Sequence, residues 1–126
     1  DPDMETLVAD FYFQNFWRPF ESWEAPKRIT AKLFDMGVNV GVAGAKKILQ
    51  KAINRQDGQA GLTVDGLVGP LTKAAFREVL LSKGEEACLR ALAAEQAQYY
   101  QAIVVRRPGQ KKFLNGWMRR AAWMPE

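Results

Sequence analysis

Apolar residues fall at helical spacing in one segment after another of this chain, and glycine and proline separate the segments. That pattern predicts a mainly helical fold. After Pro26, which suits the first turn of a helix, Ile29, Leu33, Met36 and Val40 stand at i, i+4, i+7 and i+11 on one apolar stripe. Beyond Gly41 and Gly44 comes the clearest helix, with Ala45, Ile48, Leu49, Ala52 and Ile53 inside and Lys46, Lys47, Lys51 and Arg55 outside. Gly69-Pro70 opens a helix over 70–82, and Gly84 separates it from a long one over 85–107. That long helix carries Leu89, Leu92, Ala93, Gln96, Tyr99, Tyr100 and Ile103 along one face, and Pro108-Gly109 breaks it. The last helix turns Phe113, Leu114, Trp117, Met118 and Ala121 inward and leaves Arg119 and Arg120 to solvent. At the other end, Asp1 and Asp3 cap a helix over 4–17, and 18–25 reads as a packed loop. Between the helices, 56–61 is a surface loop, Leu62-Thr63-Val64 a short extended piece, and Asp65-Gly66 a turn.

At 126 residues the chain reads as a single domain, able to bury roughly two-thirds of its unfolded surface. It has no apolar run long enough to span a bilayer or to read as a signal peptide. Its one cysteine, Cys88, excludes an internal disulfide and sits on a helical pattern as a small apolar residue. Histidine is absent, which excludes a Ser/His/Asp triad, a Cys/His pair and the ordinary His-rich zinc centre. What remains is carboxylate chemistry, with no metal and no cofactor predicted. A net charge of +4 and a pI near 9.4 favour an anionic partner. The basic residues do not gather on one recognition helix with interleaved polar readers, so nucleic acid is not predicted as that partner.

Two further patterns carry chemistry. Asp35 and Asn39 lie one turn apart on a largely apolar helix and point the same way. Asp35 either pairs with Lys32 or Arg28 on its own helix or serves a site. The second pattern, Asp65-Gly66-x-x-Gly69-Pro70-x-Thr72, is a tight turn running into a helix start, and its residue types suffice to fold that turn without a ligand.

Taken in order, Phe16-Trp17-Arg18-Pro19, Phe34-Asp35-x-x-Val38-Asn39-x-Gly41, Ala45 with Leu49-Gln50, the Asp65 to Thr72 turn, Tyr99-Tyr100, Arg107-Pro108 and Phe113-Leu114-x-Gly116-Trp117-x-x-Arg120 resemble the C-terminal portion of glycoside hydrolase family 108. That family comprises lysozyme-like N-acetylmuramidases of phages and bacteria. The resemblance implies an all-α, lysozyme-like helical domain with an irregular or extended loop around 56–69. In it, 1–25 is the tail of a catalytic segment and 26–126 a predicted peptidoglycan domain. It implies peptidoglycan glycan strands as the partner and the cell wall as the place of action. The family's catalytic glutamate lies in an early Glu-Gly-Gly motif, and no such motif precedes Phe16. The expectation is therefore one wall of a glycan cleft whose general acid lies in a missing upstream segment, with Asp35 as a weak catalytic candidate. The alternative is a non-catalytic wall-binding module.

For substrate binding the candidates are Asp35, Asn39, Tyr99, Tyr100 and Trp17. A carboxamide offers two donors and an acceptor to an N-acetyl sugar, and an aromatic face covers the apolar side of a pyranose. Adjacent tyrosines on a helix cannot point in one direction, so one hydroxyl is left for a groove.

Overall fold

A computed structural model describes residues 24–126, and helices account for most of them. In chain order they are α1 (Lys27–Val40), α2 (Val42–Gln56), α3 (Pro70–Lys83), α4 (Glu85–Arg106), a 3₁₀ turn (Pro108–Phe113) and α5 (Leu114–Ala122). No described residue lies in a strand, so the described part is all-α. The helix predicted over 4–17, and most of the loop after it, lie outside the described residues.

Single glycines make two of the corners. Gly41 closes α1 and starts α2 with φ +86°, donating its N–H to the Gly37 carbonyl at 3.1 Å and accepting from the Ala45 N–H at 3.0 Å. Gly84, at φ +90°, does the same between α3 and α4, with Leu80 and Cys88 as its partners. Any other residue would carry strain in that left-handed backbone.

One apolar core runs through the helices. Ile29, Leu33 and Met36 of α1 join Ala45, Ile48, Leu49, Ala52 and Ile53 of α2, Phe76 and Val79 of α3, and Cys88, Leu89 and Leu92 of α4. The 22-residue α4 lies centrally and touches every other described helix. With neighbours on several sides, its apolar residues spread around its girth instead of forming a single stripe.

One detail differs from the sequence expectation. The chain leaving α4 winds as a 3₁₀ turn before α5 begins, and this puts Phe113 on the corner, 45% exposed, instead of inside. Leu62-Thr63-Val64 lies in the loop region and pairs with no strand among the described residues. The Asn54 carboxamide binds the Leu62 backbone instead, donating to its carbonyl and accepting from its N–H, both at 2.9 Å, where a neighbouring strand would otherwise have paired.

Candidate functional site

Two adjoining depressions, of about 400 and about 480 Å³, share Gly116, Arg119 and Arg120 and form an open furrow along α5. The first is also lined by Asp35 and Trp123. The second is lined by Asn39 and Tyr100 together with Lys112, Phe113, Asn115 and Trp117. The second half of α1 therefore faces α5 and the 3₁₀ turn, and the two α1 residues singled out by spacing both reach the furrow.

Asp35 is half-buried. Its Oδ1 stands 3.8 Å from the Arg120 guanidinium, while Oδ2 is buried and has no hydrogen-bond partner among the described residues. Asn39 is exposed and donates Nδ2–H to the Asp35 main-chain carbonyl at 2.8 Å, which ties its carboxamide back to its own helix. The two intrahelical partners considered for Asp35 are engaged elsewhere. Arg28 pairs with Glu86 and donates to the Pro125 carbonyl at 2.8 Å. Lys32 is wholly buried and donates to main-chain carbonyls at the end of α5. Burial pulls its ammonium down to about 8, with the Asp35 charge pulling the other way.

An aromatic row leads from the core to the rim. Tyr100 is buried and accepts a hydrogen bond from Gln96 Nε2 at 3.1 Å. Burial pushes its phenol up, so at neutral pH it is an uncharged hydroxyl. Trp117 stacks on Tyr100 with ring centres 5.3 Å apart and planes 20° apart, and Phe113 follows, 5.8 Å from Trp117. Tyr99 meets Tyr100 edge-on at 6.0 Å and lines a different depression with Ile103, Arg106 and Arg107. Trp17 lies outside the described residues.

The α5 wall was not singled out from the sequence. Arg119 and Arg120 read as solvent-facing residues, yet both line the furrow, with Lys112 and Asn115 beside them. One signal was available in Gly116. A glycine inside a helix costs about 1 kcal/mol relative to alanine, and a Cβ here would meet nothing within 4 Å. Its side of α5 is open.

The Asp65 turn is bonded inward. Gln50 accepts from the N–H groups of Asp65 (3.1 Å) and Gly66 (2.8 Å), and its Nε2 donates to Asp65 Oδ1 and the Leu67 carbonyl, each at 3.1 Å. The Leu67 N–H, and after it Gln50, hold the Asp65 carboxyl below the ordinary aspartate range. Among the described residues, no group of three His, Cys, Asp or Glu could hold a metal ion, and no helix is long and apolar enough to cross a membrane.

The fold and the furrow define a small all-α domain with an open trough that is cationic along one wall and aromatic at one end. Residues 44–122 match the predicted peptidoglycan domain family, and residues 3–41 match glycosyl hydrolase 108. The chain belongs to the predicted peptidoglycan domain family, here joined to a glycosyl hydrolase 108 segment. No curated protein and no solved structure matches it.

Proposed function

We propose that this chain is the peptidoglycan-holding part of an N-acetylmuramidase, with the furrow forming one wall of the cleft that takes a glycan strand. The carrying observation is the open trough itself, which lies on α5 within the residues that match the peptidoglycan family and is closed on its other side by Asp35 and Asn39 of α1. Its materials suit the polymer. Phe113 and Trp117 offer ring faces to a pyranose, Asn39 and Asn115 offer carboxamides to N-acetyl groups, and Lys112, Arg119 and Arg120 offer cations to carboxylates.

Hydrolysis of a glycosidic bond needs a carboxylic acid together with a second carboxylate, a positioned water or a substrate group across the sugar. Asp35 is the one carboxylate that lines the furrow among the described residues. We therefore assign Asp35 to holding the ligand and leave proton donation to a group outside the described furrow.

Sedimentation with purified sacculi tests this reading. The chain should co-sediment at moderate salt, and a double variant, Arg119→Gln with Phe113→Ala, should stay in the supernatant while keeping its helical circular dichroism. Failure of the native chain to co-sediment would overturn it.

A further inference from the structure

The furrow carries more positive charge than a glycan strand can use. Among the described residues, Lys112, Arg119 and Arg120 line it against the single carboxylate of Asp35. The N-acetylated sugar chain of peptidoglycan is uncharged, and the polymer's carboxylates sit on its short peptide stems. The cationic surplus thus answers to the stems.

The end near α1 narrows the choice further. Asp35 keeps Oδ2 buried and turns Oδ1, with no hydrogen bond among the described residues, toward the furrow. Arg120 stands at 3.8 Å from Oδ1, too far for a normal hydrogen bond, so among the described residues its guanidinium donors remain open. A carboxylate oxygen, Oδ1, open beside a guanidinium is the complement of a peptide's last residue, in which an amide N–H and a carboxylate are joined through one Cα. We infer that this end of the furrow reads the free C-terminal carboxylate of a peptide stem. Arg120 and Arg119 take the carboxylate, and Asp35 accepts the adjoining N–H. A stem whose terminal carboxylate has been consumed in a cross-link lacks the group being read, so the domain favours uncross-linked wall. This inference rests on the peptidoglycan reading above.

Calorimetric titration with two soluble disaccharide-peptide fragments tests it, the two being identical except that one ends in a carboxylate and the other in a carboxamide. The native chain should bind the acid roughly tenfold more tightly than the amide, the loss that follows from one charge-assisted hydrogen-bonded pair. Arg120→Gln should erase that preference while leaving thermal unfolding unchanged, because the side chain is mostly exposed. Asp35→Ala should weaken both fragments, since it removes the acceptor that faces the N–H they share. Equal affinity for acid and amide, with sacculi still retained, would overturn this inference and leave the peptidoglycan reading standing. Loss of sacculus retention by the native chain would overturn both.

Discussion

The Lys32 ammonium, on α1, lies 2.6 Å from the main-chain oxygen of Trp123. It also donates to Ala121 at 2.8 Å and reaches the Arg120 carbonyl, which it shares with the Trp123 N–H, at 3.4 Å, so one side chain takes up the carbonyls at the end of α5. The ring of Trp123 lies over the same ammonium at 5.8 Å. The furrow's two walls are thereby fastened to each other from beneath.

Replacing this residue by one of similar length without a donor should loosen that joint. Lys32→Met is expected to destabilise the chain by about 1–3 kcal/mol, the cost of leaving buried carbonyls unpaired, offset in part by relief of the buried charge. Urea denaturation followed by circular dichroism measures it. Unchanged stability would mean that the α5 carbonyls find water instead.

The same group predicts an unusual pH dependence. Burial holds the folded ammonium at about 8 against an ordinary 10.5, so the unfolded chain binds this proton more tightly. The penalty for burying the charge is fully present below the folded value and fades as pH rises from about 8 toward 10.5, so this residue's contribution to stability increases across that window. Denaturation midpoints of the native chain, taken relative to Lys32→Met at neutral pH and near pH 10.5, should shift in the native chain's favour at the higher pH.

Gln50 is buried and supplies both a donor and an acceptor to the Asp65 turn. Gln50→Leu should cost on the order of 2 kcal/mol, and the Asp65 and Gly66 amides should exchange with solvent much faster than in the native chain. The Asp65 carboxylate holds the Leu67 N–H at 2.8 Å, with a carboxyl held below its usual range, so that bond persists above the ordinary aspartate value and is lost as pH falls through the depressed one. The Leu67 amide shift in an acid titration reports it.

The glycosyl hydrolase 108 match ends at the Gly41 corner and the predicted peptidoglycan domain match begins at Gly44, but the core does not divide there. Ile29, Leu33 and Met36 are fully buried, and each such side chain contributes about 1.5–3 kcal/mol. Together they rival the whole margin of a small domain. A chain of residues 42–126 should therefore lack a cooperative thermal transition, and Met36→Ala in the intact chain should cost about 2–5 kcal/mol. A sharp transition for 42–126 would refute this.

The aromatic row separates binding from folding. Phe113 stands 45% exposed at the rim, whereas Trp117 stacks on the buried Tyr100. Phe113→Ala should reduce sacculus retention with little change in melting temperature, and Trp117→Ala should lower both. Retention unaffected by Phe113→Ala would remove the rim ring from the ligand surface.

Much of this architecture was legible in local pattern. The α2 stripe, with Lys47, Lys51 and Arg55 opposite it, admits one orientation, and the Gly41, Gly84 and Pro108 punctuation marks the helix ends to within a residue or two. Successive helical residues diverge by about 100°, so Tyr99 and Tyr100 had to face different neighbours. Which of them meets the furrow depends on where α5 folds back, and no local signal carries that. Lys32 shows the same limit. By spacing it is a partner for Asp35 on the same helix, and the carbonyls it meets in the interior are supplied some ninety positions later in the chain. Periodicity also cannot tell a rim aromatic from a core one, which is why Phe113 was placed inside.

Corners made of one glycine leave the bundle no slack. With Gly41 and Gly84 each serving as the end of one helix and the start of the next, neither junction can lengthen or swivel without breaking hydrogen bonds on both sides. On the proposed reading, it then falls to the flexible wall polymer to surrender its freedom on docking. Association should therefore be driven by enthalpy and opposed by the ordering of the strand, while the receiving surface keeps its shape.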